Sequence, residues 1–203
     1  MMKMGVFGGS FDPVHFGHLW IAEAARETLG LDEVRWIPAA RSPLKSEQPQ
    51  APAMDRVAMV RLALADGDGH VVDDREIRRG SVSYTVDTLA ELAEDFPDSQ
   101  FWLIIGSDSL ASFPQWREPE RLLQLAHLAV IQRGGDPEID LSVLQGLTTS
   151  ERVDQIRRDI VPMPLIELSS SEMRERIVAE SSIRFRTPRA VAALINDRRL
   201  YRE

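Results

Sequence analysis

The segment Gly8–His18 limits what this chain can fold into more than any other part of the sequence. It reads Gly-Gly-Ser-Phe-Asp-Pro-Val-His-Phe-Gly-His, after an apolar run at 4–7 and before a helical pattern from Leu19. This order predicts a strand, a glycine turn and a helix. Small residues after a strand let a nucleotide approach the backbone, and a helix N-terminus attracts phosphates. Residues at i and i+3 share a helix face, so His15 and His18 are predicted to face one anion, although a glycine turn beside two structural histidines is also compatible.

Composition and charge narrow the class of protein. With 203 residues, 43% of them hydrophobic, the chain can bury a domain-sized core, which excludes a disordered chain. A formal net charge of -8 argues against nucleic-acid binding, because such surfaces carry a basic stripe. Cysteine is absent, which excludes disulfides, thiolate catalysis and cysteine-ligated metals. Without a long apolar run or a signal-peptide pattern, the chain is predicted to be cytoplasmic and to have no membrane span.

Apolar runs that alternate with helical patterns predict the fold class. This alternation builds βαβ units, so we predict an α/β, Rossmann-like parallel sheet with helices on both faces. The run at 101–105 is the most apolar and is predicted to be a central strand. The predicted strands are 4–7, 33–38, 70–72, 101–105 and 128–131, and the predicted helices are 19–29, 54–65, 85–96 and one that includes 122–125.

The pattern changes beyond about residue 136, where polar amphipathic segments replace the regular alternation. We predict a single domain over 1–203, composed of a Rossmann-like core at 1–135 and a C-terminal helical subdomain at 136–203. The elements predicted in the subdomain are a short strand at 162–168 and helices at 170–179 and 188–196.

The glycine-histidine segment resembles the GGSFDPxHxGH signature of the nucleotidylyltransferases that carry an [H/T]xGH motif. The whole chain is similar to the bacterial nicotinate-nucleotide adenylyltransferases of that superfamily. The resemblance implies transfer of the adenylyl group of ATP to nicotinate mononucleotide, with release of pyrophosphate, in NAD biosynthesis. It implies catalytic roles for His15 and His18, and it implies ATP-binding roles for Gly8, Gly9, Ser10 and Phe11.

A second motif, Ser169-Ser170-Ser171-Glu172-Met173-Arg174, precedes and opens a predicted helix. On its own it is typical of a well-capped helix with a surface arginine, because serine hydroxyls cap free N–H groups. The resemblance implies more, since the family carries an S-S/T-x-x-R element here that holds the ATP phosphates. It therefore implies ATP-binding roles for Ser169 and Ser170 and a catalytic role for Arg174.

A third motif, Gly106-Ser107-Asp108, follows the most apolar strand. A small residue beside a carboxylate at a strand end suits a ribose, although an aspartate here also suits a helix cap. The resemblance implies that Gly106 and Asp108 bind the adenosine ribose. It also implies that Trp116 stacks on the pyridine ring of the acceptor.

A fourth motif, Ser83-Tyr84-Thr85-Val86-Asp87-Thr88-Leu89, precedes a predicted helix and resembles the family's SYTxDTL element. The resemblance implies that backbone N–H groups around Tyr84 and Thr85 bind the nicotinate carboxylate. Thr85 is also compatible with an ordinary helix N-cap. No lysine or arginine occurs from Gly80 to Gln100, so Lys45 and Arg117 are expected to add only a distant positive field.

The loop after the second predicted strand departs from the family pattern P-N-x-x-P-P-H-K. Here it reads Pro38-Ala39-Ala40-Arg41-Ser42-Pro43-Leu44-Lys45, without the asparagine and the histidine. Lys45 remains and is a candidate for binding the mononucleotide phosphate, with Arg41 as a second cation.

The absence of a nucleophile predicts the reaction type. No cysteine is present and no serine lies in a nucleophile elbow. The remaining groups are positive side chains and backbone dipoles, and these suit the direct in-line transfer of a group from a polyphosphate. Mg²⁺ is expected to bind mainly to the ATP phosphates, so no metal-ligating residue is predicted.

Three alternative functions remain open. The first is the same reaction with another acceptor (nicotinamide mononucleotide, pantetheine phosphate or FMN), and the second is a non-catalytic nucleotide sensor. The third is a class I aminoacyl-tRNA synthetase, for which the chain is too short. The sequence predicts no oligomeric state.

Overall fold

The computed structural model of this chain describes residues 1–43, 49–65, 67–135 and 137–202. The strands of these residues form one sheet in the order β3-β2-β1-β4-β5-β6, and the pairs β1–β4, β4–β5 and β5–β6 are parallel. The predicted Rossmann-like α/β fold is confirmed. The strands are β1 Met2–Gly9, β2 Glu33–Pro38, β3 His70–Val72, β4 Ser99–Gly106, β5 His127–Arg133 and β6 Val161–Met163.

Helices follow most of the strands, as the alternation predicts. Two short helices, α3 and α5, have five and six residues and are too short for a 3.6-residue periodicity to reveal them in the sequence. The helices are α1 Phe16–Leu29, α2 Ala53–Ala63, α3 Arg75–Arg79, α4 Thr85–Asp95, α5 Ser107–Ser112, α6 Pro119–Leu125, α7 Ser150–Arg158, α8 Ser170–Val178 and α9 Arg189–Asp197, with 3₁₀ turns at Phe113–Gln115 and Leu141–Leu144.

The strand order explains why β4 is so apolar. Its residues 101–105 are all buried, so both faces of the strand are covered, as expected for a central strand of a parallel sheet. The order reverses between β1 and β4, and a sheet of this kind binds ligands at such a switch point, beyond the carboxyl ends of its strands. Both strands end in a glycine, β1 at Gly9 and β4 at Gly106.

The strand predicted at 162–168 is the one element whose extent is clearly wrong. The observed strand β6 begins at Val161 and ends at Met163. Pro164 has no backbone N–H to donate and follows the strand directly, which explains why pairing stops there.

The residues form two compact units. One unit contains residues 1–7, 21–35 and 84–165, and the other contains residues 8–20, 36–83 and 166–203. In the second unit α2 packs against α9, and in the first unit α4 packs against α6. The division of the domain at residue 135 stays a prediction. No described helix is both long and apolar enough to cross a membrane.

Candidate active site

The glycine turn that follows β1 is shaped by one aromatic side chain. A Cβ added at Gly9 would lie 2.9 Å from the ring of Phe11, so only glycine leaves room for that ring. Phe11 itself is buried, and its φ of 48° lies in the left-handed region. Gly8 is exposed and a Cβ there would meet no atom within 4 Å, so its backbone is open to a ligand.

The two motif histidines lie together at the start of α1. His15 directly precedes the helix and His18 lies in its first turn, and their rings stack with centroids 3.7 Å apart. The backbone N–H of His15 donates to Nδ1 of His18 at 3.2 Å. Since that nitrogen accepts, the neutral His18 ring carries its proton on Nε2. Gly17 packs closely beside them, because a Cβ there would lie 3.0 Å from the His15 ring and would press on it.

The serines of α8 have separate tasks. Ser169 is the N-cap, and its Oγ accepts from the N–H of Glu172, which leaves the hydroxyl proton available to a ligand. The Ser170 hydroxyl donates to the carbonyl of Pro13 at 2.9 Å, so it attaches α8 to the histidine motif. The resemblance implies the same ATP-binding role for both hydroxyls, but in the structure only the Ser170 hydroxyl donates its proton to the backbone.

Arg174 lies one turn further along α8 and reaches the same segment. Its guanidinium donates to the carbonyl of Asp12 at 2.8 Å and lies 3.9 Å from the Asp12 carboxylate. A second nitrogen donates to Ser171 Oγ. The structure thus brings His15, His18, Ser170 and Arg174 together around the Asp12–His18 segment, as the resemblance implies.

Asp12 is a buried carboxylate that sequence analysis did not single out. Its oxygens accept from the backbone N–H groups of Gln50 and Ala51 and from the hydroxyl of Tyr201. The adjacent Arg56 is 1% exposed and donates to the carbonyl of Ser10 at 2.7 Å. Burial lowers the pKa of Arg56, because it removes water from the charged form. An arginine in a helical pattern carries no local signal of such burial.

The loop after β2 is attached to the fourth motif. The N–H of Ala40 donates to the Ser83 hydroxyl, and the N–H of Ser83 donates to the carbonyl of Arg41, both at 2.9 Å. The N–H of Ala39 donates to the carbonyl of Gly9, which ties the loop to the glycine turn. Lys45 lies outside the described residues, so its predicted role stays a prediction.

In the first unit, which contains residues 84–165, β4 leads directly into the short helix α5. Gly106 is the N-cap of α5, and a Cβ there would lie 2.5 Å from Oδ1 of Asp108. The aspartate side chain therefore turns back over the glycine, and a larger residue at this position would displace the carboxylate. Asp108 lies in the first turn and not at the N-cap, so the alternative in which it caps the helix is wrong. Its carboxylate is exposed.

The helix α4 begins without a side-chain cap. Tyr84 is its N-cap and makes no capping hydrogen bond, so Thr85 is the first helical residue and not the cap that the local alternative assumed. The first N–H groups of a helix have no partner within it and attract anions. The guanidinium of Arg117 lies 4.6 Å from the centre of the Tyr84 ring and 3.7 Å from the Asp87 carboxylate. This cation therefore lies beside the Tyr84 side chain, and Asp87 shares its charge.

Trp116 lies at the end of the 3₁₀ turn Phe113–Gln115, directly before Arg117. Its indole N–H donates to Ser112 Oγ at 3.4 Å, and its ring is 5.4 Å from that of the buried Phe113. These contacts hold the indole by one edge and one side while the residue stays partly exposed. Such a ring can offer a face to a flat ligand.

Comparisons with known proteins identify the family of this chain. The model of the Cytidylyltransferase-like family matches residues 6–176. A protein of Rhodopirellula baltica named "probable nicotinate-nucleotide adenylyltransferase" is 55% identical over 98% of this chain and 93% of its own length. A protein of Herpetosiphon aurantiacus with the same name is 42% identical over 99% of each chain. The chain belongs to the nicotinate-nucleotide adenylyltransferase family.

The fold comparison shows the same fold at a lower sequence identity. The nicotinic acid mononucleotide adenylyltransferase of Plasmodium falciparum, solved in complex with NaAD, is 19% identical, and its structure aligns with a TM-score of 0.74. The alignment covers 99% of this chain and 98% of that one. The family, the enzyme class of nucleotidyltransferase and the Rossmann-like fold predicted from the sequence are confirmed.

Proposed function

We propose that this family member transfers the adenylyl group of ATP to nicotinate mononucleotide, forming nicotinate adenine dinucleotide and pyrophosphate in NAD biosynthesis. The observation that carries the proposal is the grouping of the two motif histidines with Arg174 of α8 around one backbone segment. The relatives that are 55% and 42% identical bear the name of this activity over nearly their whole length.

The residues of the second unit suit the ATP phosphates. The Nε2–H of His18, the Arg174 guanidinium and the open backbone at Gly8 are donors or positive groups, and charge stabilisation supplies most of the catalysis in phosphoryl-type transfer. An oxygen of the mononucleotide phosphate attacks the α-phosphorus of ATP. The new P–O bond forms as the bond to the β-phosphate oxygen breaks, and pyrophosphate takes the electron pair. His18 and Arg174 act by stabilising charge on the transferred group, without a covalent intermediate.

The start of α4 suits the acceptor's carboxylate. The N–H groups of Tyr84 and Thr85 and the uncapped helix end are all donors, and Arg117 adds a cation beside the Tyr84 ring. An acid presents acceptors to such a site, whereas an amide presents N–H₂ hydrogens to groups that cannot accept them. Trp116 is proposed to stack on the pyridine ring. These residues supply discrimination between acid and amide.

The turn after β4 suits the adenosine ribose. Asp108 is exposed and its carboxylate can accept hydrogen bonds from two hydroxyls. Gly106 lets this carboxylate lie close to the backbone, since a larger residue there would displace it. We assign Gly106 and Asp108 to ribose binding on this basis.

Mg²⁺ enters the reaction as part of the ATP substrate, because it keeps several of its waters and binds phosphates with few protein ligands. Among the described residues, no group of three or more His, Asp or Glu side chains is arranged to hold a metal ion. The acid within the motif, Asp12, is engaged by N–H and O–H donors at both carboxylate oxygens. We therefore assign no metal ligand.

ATP as a substrate supports the cytoplasm as the compartment of this protein. The absence of nucleic-acid binding stays a prediction.

A pyrophosphate-release assay with ATP and a panel of acceptors tests the proposed function. The panel contains nicotinate mononucleotide, nicotinamide mononucleotide, phosphopantetheine and FMN, each with and without ATP. We expect nicotinate mononucleotide to give the highest kcat/KM by at least about tenfold, which corresponds to ~1.4 kcal/mol. A preference for another acceptor would reassign the substrate, and ATP binding without turnover on any acceptor would indicate a nucleotide sensor.

A further inference from the structure

The C-terminal end of the chain reaches into the histidine motif. The hydroxyl of Tyr201 donates to Oδ1 of Asp12 at 2.8 Å, across 189 residues of sequence. Tyr201 and the preceding Leu200 are both buried. Positive φ angles of 51° at Arg199 and 64° at Tyr201 turn the chain after α9 so that the tyrosine points inward. A strained backbone at two non-glycine residues indicates that the surrounding packing holds this turn in place.

Asp12 connects this tyrosine to two other parts of the unit. Its carboxylate accepts from the backbone N–H groups of Gln50 and Ala51, which fix the chain between the loop after β2 and α2. Its carbonyl accepts from Arg174, whose guanidinium lies only 3.9 Å from the carboxylate oxygen Oδ2. The guanidinium is hydrogen-bonded to the carbonyl and within ion-pair distance of the carboxylate, so a small turn of the carboxylate would let the two form a direct hydrogen bond.

We propose that Tyr201 is a positioning residue: its hydroxyl holds the Asp12 carboxylate away from Arg174, so that the arginine stays available to the phosphates of a nucleoside triphosphate. The inference rests on the proposed function only for the identity of the ligand. Oδ1 accepts from the tyrosine and from Ala51, and Oδ2 accepts from Gln50. Without the tyrosine donor, a buried carboxylate loses a hydrogen bond and can replace it by turning toward the Arg174 guanidinium, which lies 3.9 Å away.

The tyrosine is suited to this task because it remains a donor. Burial and the negative charge of Asp12 both raise the pKa of Tyr201 above its usual value, so the hydroxyl stays protonated throughout the working pH range. Its side chain also lies among buried groups, where a hydrogen bond is not exchanged readily for one to water.

The variant Tyr201→Phe tests the inference, because it keeps the ring and removes only the hydroxyl. Titration calorimetry measures the Kd for MgATP, and pyrophosphate release measures kcat. We expect Tyr201→Phe either to raise the Kd for MgATP or to lower kcat, in each case by about tenfold. A change of this size is expected when a binding group is misplaced by a fraction of an ångström. In an Arg174→Lys background the same change is expected to cost nothing further, since the tyrosine acts through that arginine.

Leu200→Ala is the matched control. It weakens the packing of the same C-terminal turn without removing the hydroxyl, so it is expected to lower Tm and to leave Kd and kcat near wild type. If Tyr201→Phe leaves Kd and kcat unchanged, if its effect is the same in both arginine backgrounds, or if Leu200→Ala reproduces it, the positioning role is wrong. A wild-type protein that binds ATP but uses no mononucleotide would contradict the proposed function. It would leave the inference about Tyr201 open to test, because the Kd for MgATP can still be compared between wild type and Tyr201→Phe.

Discussion

The backbone N–H of His15 donates to Nδ1 of His18 at 3.2 Å, and the two imidazole rings stack with their centroids 3.7 Å apart. This bond determines the tautomer of His18 and places its remaining proton on Nε2. Phe11 supports the same ring from the side, at 5.2 Å in an edge-to-face contact. His18 is therefore oriented by its neighbours before any ligand arrives, which is the condition for effective charge stabilisation.

We expect His18→Ala to lower kcat by about 10²–10³, since this is the usual loss when a donor to developing charge is removed. His15→Ala is expected to act in the same direction but less severely. Pyrophosphate release measures kcat, and thermal unfolding shows whether the fold is intact. His127→Gln, which changes a histidine outside the motif, is the control for activity. Near-normal turnover of a folded His18→Ala protein would contradict the catalytic assignment.

The adjacent glycines of the first turn are expected to respond differently to the same substitution. Gly9→Ala brings a methyl group to 2.9 Å from the Phe11 ring, so it should displace that ring and His18 with it. We expect a lower Tm and a fall in kcat of about tenfold or more.

Gly8→Ala meets no atom within 4 Å and should keep its Tm. Any effect of that variant should appear in the KM for ATP, because its methyl group stands where the backbone is open to a ligand. Equal Tm values for the two variants would contradict the packing argument.

Trp116→Ala is expected to raise the KM for the mononucleotide far more than the KM for ATP. Aromatic stacking contributes about 0.5–1.5 kcal/mol beyond area burial, which corresponds to roughly threefold to tenfold in affinity. Steady-state kinetics with each substrate varied in turn provides the measurement. Trp116→Phe should retain most of the affinity, and equal changes in both KM values would count against stacking on the pyridine.

The preference for acid over amide depends on the start of α4. Thr85 is the first helical residue, where proline is tolerated, so Thr85→Pro deletes one N–H while the helix remains. We expect this variant to lose most of the ratio of kcat/KM for acid to amide, because hydrogen bonds to charged partners contribute about 1.5–3 kcal/mol. Thr85→Ala keeps the N–H and is expected to keep the ratio.

Arg117→Gln provides an independent measure of the cation beside Tyr84. It is expected to lower the same ratio by less, because Arg117 is half exposed and shares its charge with Asp87. An unchanged ratio in both Thr85→Pro and Arg117→Gln would contradict recognition of the carboxylate at this helix end.

The pH dependence of stability is expected to include a contribution from His127. Burial lowers the pKa of this histidine, and the cationic Arg152 at 3.1 Å adds to the effect, while Asp159 opposes it. The folded protein thus prefers the neutral ring, which stacks on Trp102. Below about pH 6.5 the unfolded chain binds the proton more readily, so the free energy of unfolding falls as the pH is lowered.

Urea unfolding at several pH values, compared between wild type and His127→Gln, measures this contribution. The variant should show a smaller loss of stability below about pH 6.5. Identical pH dependences of the two proteins would contradict the lowered pKa.

Local sequence patterns determined a large part of this protein. The alternation of apolar runs with helical patterns predicts the parallel sheet, and strands β2 and β3 agree with their predicted bounds. The Gly8–His18 segment predicts its strand, turn and helix because local residue order, glycine placement and helix periodicity are enough to indicate these elements. Family membership follows from the same segment and from the other three motifs.

Only the tertiary structure decided how the candidate site is held. Arg174 bonds to Asp12 across 162 residues, and Tyr201 bonds to the same residue across 189. Arg117 lies over Tyr84 although no local pattern connects them. Periodicity and turn chemistry report on neighbours in sequence, whereas these contacts depend on which chain segments the fold packs together. A buried tyrosine near the C-terminus therefore carries no signal of its function until the chain has folded around Asp12.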